Sequence, residues 1–246
     1  MSRKLEQISN SANKESVPYK RMACKKIVYW SLWQHNKSMG AAMADETPAA
    51  RQLDLENELA EWLSISEQGH AAYGRRKLVP AELKFKDAVA ILERLCADAA
   101  YKDDGELQNK LGKSLNNLGA VYHAQGKFGL AEEAYQKALD LKVRLFGEEH
   151  HEAAPCYQNL AAVHSARAQY DKAEPLYLKA IAIKEKEFGE DSEELLTPLK
   201  NLLMLMQKME RTDEAVTLET RIKKMEPPPA NPGDIWQSVQ LIKKDK

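Results

Sequence analysis

KSLNNLGAVYHAQGKFGLAEEAYQKALDLKVRLFG, residues 113–147, reads as two helices with a break between them. Leu115, Leu118, Ala120–Tyr122 and Ala124 recur at three- and four-residue spacing, which gives the first helix an apolar face. Gly126-Lys127 interrupts the pattern. A second helix follows, with Ala131, Ala134, Tyr135, Ala138, Leu139 and Leu141–Val143 on its inner side. Gly147 stops it, because glycine takes the left-handed conformation of a helix end without steric cost.

The stretch then repeats. Asn117-Leu118, Asn159-Leu160 and Asn201-Leu202 recur at a spacing of 42 residues, as do Ala131, Ala173 and Ala215. Gly147 and Gly189 keep that spacing, and Tyr135, Ala138 and Leu139 return as Tyr177, Ala180 and Ile181. Small residues such as Gly119, Ala131 and Ala138 fall where two helices must approach closely, and Leu118, Tyr122 and Tyr135 fill the space around them. One helix pair cannot bury both of its faces, so such units stack into a solenoid. The expected fold is therefore all-α: stacked antiparallel helix pairs in a right-handed α-solenoid.

Leu115-(x2)-Leu118-Gly119-(x2)-Tyr122, followed by Gly126, Ala131 and Ala138, resembles the tetratricopeptide repeat. That family usually repeats every 34 residues. The 42-residue period is similar to its kinesin light chain and nephrocystin type, and Leu115-Asn116-Asn117-Leu118 and Lys172-Ala173-Glu174-Pro175-Leu176-Tyr177 are typical of that subgroup. The resemblance covers roughly 111–226. It departs from the subgroup at His150-His151 and Ser192-Glu193, where His-Pro is usual. The last unit has Leu203 at the Gly119 position and Glu219 at the tyrosine position. Upstream, Leu59–Tyr73 and Phe85–Ala97 read as a further pair, with Phe85 and Ala88 placed 43 before Phe128 and Ala131 and a longer Leu78–Leu83 connector. The count is three and a half to four units.

Three regions follow from charge and composition. Residues 1–44 carry eight Lys/Arg and only Glu6 and Glu15, and read as a basic, disordered N-terminal arm. Within it, Ile27–Trp33 is too short and too interrupted downstream for a secretory signal. Residues 45–226 form the solenoid and are mildly acidic. Residues 227–246 hold Pro227-Pro228-Pro229 and then Ile235, Trp236, Val239 and Ile242, expected as a short helix folding back to cap an apolar face of the last pair, the alternative being that Asp234-Ile235-Trp236 occupies the protein's own groove. The formal net charge of −1 gives no global reason to expect nucleic acid. No segment has the roughly 18 apolar residues of a membrane span. Cys24, Cys96 and Cys156 are far apart without a CxxC, which suits a reducing, cytoplasmic setting.

No catalytic signature is present: there is no glycine-rich phosphate loop, no HExxH and no nucleophile motif. No cofactor is implied. His150-His151 beside Glu148, Glu149 and Glu152 reads as a solvated turn rather than a metal site. The resemblance implies that the first helix of each pair lines a concave groove, and that a protein or peptide partner lies in it. Asn117, Asn159 and Asn201 would form a ladder there, since an amide both donates to and accepts from a peptide backbone. Lys113 and Lys200 flank the ladder, with His123, Gln158, Ser165 and Gln207 beside it. The same asparagines would equally serve as links between neighbouring helices. The expected function is a non-enzymatic adaptor. The alternatives are a structural subunit of an oligomeric complex and a kinesin light chain-like cargo adaptor. The chain lacks the long heptad coiled coil that such light chains use.

Overall fold

A computed structural model describes residues 48–226. Among the described residues there are eight α-helices, one short 3-10 turn and no strand: α1 (Pro48–Gly74), α2 (Leu78–Ala97), α3 (Gly105–Ala124), α4 (Phe128–Phe146), α5 (Ala154–Ala166), α6 (Tyr170–Phe188), the 3-10 turn Glu193–Leu195, α7 (Leu196–Lys208) and α8 (Thr212–Met225). Of the described residues, 54–226 form one compact unit, and 48–53 fall in another. Within the larger unit the fold is a stack of four helix pairs, an all-α repeat solenoid. The basic arm and the C-terminal capping segment expected from the sequence lie outside the described residues.

Each pair closes with the same turn. The backbone N–H groups of Lys77, Lys127, Gln169 and Arg211 donate to the carbonyls of Ala72, Tyr122, His164 and Met206, at 2.9 to 3.0 Å. This six-to-one bond requires a left-handed residue just before it. That residue is Arg76 (φ 55°), Gly126 (φ 73°), Ala168 (φ 57°) or Glu210 (φ 59°). Only one of the four is glycine, so three turns hold a side chain in a conformation that costs roughly 1–2 kcal/mol. Exposed Ala168 loses nothing else on truncation. Ala168→Gly is expected to raise stability by about 0.5–1 kcal/mol, after allowing for the greater freedom of unfolded glycine. Gly126→Ala is expected to lower it by a similar amount, and urea titration of the two variants checks both.

Close helix approach fixes the register of each pair. A Cβ on Gly119 of α3 would sit 2.7 Å from the ring of Tyr135 on α4. A Cβ on Gly69 of α1 would sit 2.8 Å from the ring of Phe85 on α2. Phe85 is therefore the counterpart of Tyr135, at an offset of 50 residues, and not of Phe128. Ala81 and Ala88 likewise match Ala131 and Ala138, and all four are 0% exposed. The expected 43-residue alignment is thus wrong by two helical turns. The long Leu78–Leu83 connector is also wrong, because α2 begins at Leu78 and the turn is only Arg75–Lys77. The extra length lies instead at the start of α3, which begins at Gly105 where the next unit has the Gly147 loop. Asp104 caps that extension by accepting from the N–H groups of Glu106 and Leu107.

The core runs between the helices of each pair and on to the next pair. One buried cluster joins α2 to α6 through Leu92, Leu115, Tyr135, Tyr157 and Ile183, with Leu59, Trp62 and Ile65 of α1 against it. Trp62 also donates its indole N–H to Ser114 Oγ of α3 at 3.0 Å. A second cluster holds Tyr177 and Ile181 of α6 against Leu199, Leu202, Leu205 and Met206 of α7.

Both ends of the stack turn polar. On α1, exposed Glu61, Gln68 and Ala71 stand where α3 has buried Leu111, Leu118 and Val121. On α8, exposed Glu219 and Lys223 stand where α4 and α6 have buried Tyr135, Tyr177, Leu139 and Ile181. The apolar residues of the last pair, expected to need a cover, are mostly enclosed already: Leu202, Leu205, Met206 and Ile222 are buried. Leu203, Met209, Leu218 and Met225 are half-buried, and the Glu219–Lys223 ion pair at 2.9 Å sits on the outer surface.

Candidate peptide-binding face

The second helices cover one side of α1, α3, α5 and α7. The side left partly open on α3 holds Lys113, Asn116, Asn117, Ala120 and His123, at three- and four-residue intervals. Its equivalents on α5 are Pro155, Gln158, Asn159, Ala162 and Ser165; on α7 they are Thr197, Lys200, Asn201, Met204 and Gln207. All nine residues singled out in the sequence fall on this one face. Asn117, Asn159 and Asn201 occupy one position, and His123, Ser165 and Gln207 another. Gln158 and Lys200 share a third, and Lys113 is nearest the start of α3.

The asparagines reach across to the preceding first helix. Asn159 donates its amide to Asn116 Oδ1 at 2.8 Å, and the Asn117 amide lies 3.3 Å from His70 Nε2. No hydrogen bond from Asn201 is seen among the described residues. Lys113 is 59% exposed and lies 4.0 Å from Glu152. Lys200 is 51% exposed and pairs with Glu226 at 2.7 Å. Half-buried His123 rests against the Phe128 ring, 5.7 Å between centroids. Burial pushes its imidazole below the ordinary value, with the Ala162 backbone opposing. A neutral imidazole here is a hydrogen-bonding group rather than a charge.

The sequence missed the share of α1. At the 50-residue offset, Leu63, Glu67, His70 and Tyr73 take the places of Lys113, Asn117, Ala120 and His123, and all four are exposed. The Gly69 and Phe85 pair carried the signal that would have found them. The floor of the face narrows accordingly: His70 and Met204 flank the two small residues Ala120 and Ala162.

Burial pushes the Cys156 thiol up to about 11 and raises that of Cys96 as well, the opposite of an activated nucleophile. Among the described residues no three His, Cys, Asp or Glu side chains gather as a metal site. His150 instead stacks on Phe146 at 4.9 Å and lies 4.3 Å from His151. Among the same residues no helix is long and apolar enough to cross a membrane.

Stacked helix pairs with one shared open face define a class, the helical-repeat scaffold. The tetratricopeptide-repeat family model matches residues 111–186 and 168–225. Residues 111–225, just under half of the chain, are therefore tetratricopeptide repeats, and the chain carries a protein-interaction repeat module. Among solved structures, BtubC (BKLC) from P. vanneervenii is similar at 20% identity over 94% of this chain and 92% of that one, with a TM-score of 0.57. A Podosopora anserina putative kinesin light chain with nearly identical TPR-like repeats is similar at 19% identity over 70% and 79%, also with a TM-score of 0.57. RapI in its apo form is similar at 15% identity over 68% of this chain but 43% of that one, with a TM-score of 0.56. No curated protein matches the sequence.

Proposed function

We propose that the chain is a non-enzymatic adaptor that holds an extended peptide segment of a partner protein along the open face of α1, α3, α5 and α7. The supporting observation is the asparagine row. Asn117 and Asn159 use their amide nitrogens within the stack. Their carbonyl oxygens have no partner among the described residues, so each can accept from a peptide N–H. Asn201 extends the row by one unit. Such contacts bind backbone and leave side-chain preference to the floor, where Ala120 and Ala162 make room. This reading places the partner in the cytoplasm with the chain, and needs neither metal nor cofactor.

The test uses peptides selected from a random library on the full chain. Asn117→Ala with Asn159→Ala is expected to weaken their binding by about 1–3 kcal/mol, the cost of unpaired polar groups in the bound state. Loss of the two internal bonds alone should lower stability by no more than about 1–2 kcal/mol. If affinity is unchanged while stability falls, the asparagines are only links between helices and the peptide lies elsewhere.

A further inference from the structure

Successive pairs are joined by one ion pair that recurs at every interface. Glu82 on α2 takes Lys127 at 2.8 Å, Glu132 on α4 takes Arg167 at 2.6 Å, and Glu174 on α6 takes Arg211 at 2.7 Å. The three acids are equivalent, at offsets of 50 and 42 residues. The cation always comes from the turn inside the following pair. Lys127 and Arg211 share one position in that turn, and Arg167 stands two residues earlier. The contacts are well formed: one guanidinium nitrogen of Arg211 reaches both Glu174 oxygens, at 2.8 and 2.7 Å. Lys127, then Lys86, hold the Glu82 carboxyl down at about 2.

The series is open at its cationic end. In the first pair, the Arg167 position is Arg75 and the Lys127 position is Lys77, with Arg76 between them. All three are exposed, and their side chains have no hydrogen-bond or ion-pair partner among the described residues. At the other end the acid position is Val216, 56% exposed.

We propose that the Arg75–Lys77 turn docks an acidic segment of another protein, whose carboxylate takes the place that Glu82, Glu132 and Glu174 take inside the stack. Two nearer sources are poorly suited. Residues 1–47 carry eight Lys/Arg against Glu6, Glu15, Asp45 and Glu46, so their charge repels this turn. A second copy stacking head to tail would present Val216 instead of a carboxylate. The apolar side chains exposed near the turn are Leu63, Tyr73 and Val79, whereas the end surface of α1, with Glu61, Ser64 and Gln68 exposed where α3 has buried residues, is polar. The contact is therefore polar, sensitive to salt, and better at setting register than at giving affinity. It is separate from the asparagine face and stands or falls independently of it.

The probe is a capped, fluorescent, alanine-based helical peptide with two glutamates spaced i and i+4, beside its glutamine counterpart, titrated into the full chain by anisotropy. The glutamate peptide should bind at low ionic strength and the glutamine peptide should not. Arg75→Glu with Lys77→Glu should weaken binding about tenfold or more, as expected for reversing two interfacial charges. Arg75→Gln with Lys77→Gln should weaken it less, at an unchanged melting temperature. The reversed variant should in turn prefer a lysine version of the peptide. Equal binding of the glutamate and glutamine peptides, no binding of either, or indifference to the variants would overturn the proposal. So would sedimentation of the wild type as an oligomer that the reversed variant disperses, since a second copy would then occupy the turn.

Discussion

Gly119→Val should lower the unfolding free energy by about 3 kcal/mol, at the upper end of what overpacking a core costs. The added Cβ would lie 2.7 Å from one ring carbon of Tyr135 and 2.8 Å from the next. Tyr135 is only 3% exposed, so its ring has nowhere to go, and α3 and α4 must separate. The third unit sets the scale for a smaller change. It carries Ala161 at the same position, fully buried, beside Tyr177. The same kind of pair therefore accommodates one methyl, and Gly119→Ala should cost only about 1–2 kcal/mol. Urea unfolding of the two variants measures both. The cause is checked by adding Tyr135→Leu: the second valine penalty should shrink by about half or more, because the clashing ring is gone. If valine costs the same with leucine at 135 as with tyrosine, the strain lies elsewhere.

The same contact explains what could be read from sequence. The 42-residue spacing of Asn-Leu, Ala and Gly fixes three pairs because helix contacts recur with identical side chains. The first pair was legible as a pair but not in register. Phenylalanine at 85 replaces tyrosine, and two different offsets each align an alanine with an alanine: 43 matches Ala88 to Ala131, while 50 matches both Ala81 to Ala131 and Ala88 to Ala138. The 50-residue offset also aligns Gly69 with Gly119, but the weight of that match shows only in the close approach of Gly69 to Phe85 in space. The turns were similarly obscure. Gly126 announces a left-handed residue, whereas Arg76, Ala168 and Glu210 adopt the same conformation without announcing it.

Position on the open face was legible, because three- and four-residue spacing decides which side of a helix a residue takes. Pairing was not. Nothing in the sequence connects Asn159 with Asn116 or Asn117 with His70, 43 and 47 residues apart. The ion pairs between units were hidden for a related reason: the cation shifts between two positions of the turn, so Arg167 does not align with Lys127 or Arg211. Long, flexible side chains reach one carboxylate from either place, and a strict repeat search cannot see that tolerance.

Glu152→Ala is expected to cost about 2–3 kcal/mol, whereas Lys142→Leu combined with Glu152→Gln should stay within about 1 kcal/mol of wild type, because a broken buried pair costs more than a replaced one. Lys142 of α4 has only 4% of its side chain exposed. Its ammonium donates to Asn109 Oδ1 and Glu152 Oε2 and lies 5.6 Å from the centre of the Phe146 ring. Removing Glu152 leaves that charge enclosed with one neutral acceptor. The figure is set below that of a fully buried pair because Glu152 keeps 28% of its side chain in solvent. The first unit shows why leucine fits: the equivalent of Lys142 is Leu92, 0% exposed. The third unit keeps the ionic version, with Lys184 Nζ 3.4 Å from Glu194 Oε2 and also donating to the Glu194 backbone carbonyl at 3.0 Å. The pair also sets an acid dependence. The Lys142 hydrogen bond holds the Glu152 carboxyl below its ordinary value of 4.5. A lowered folded value means the unfolded chain takes up protons first, so the stabilisation is complete above 4.5 and is lost as the pH falls through the folded value. Unfolding measured from neutral to acid pH should show the Lys142→Leu/Glu152→Gln chain gaining on wild type as acid is added. A constant difference at every pH would mean that the pair contributes only packing.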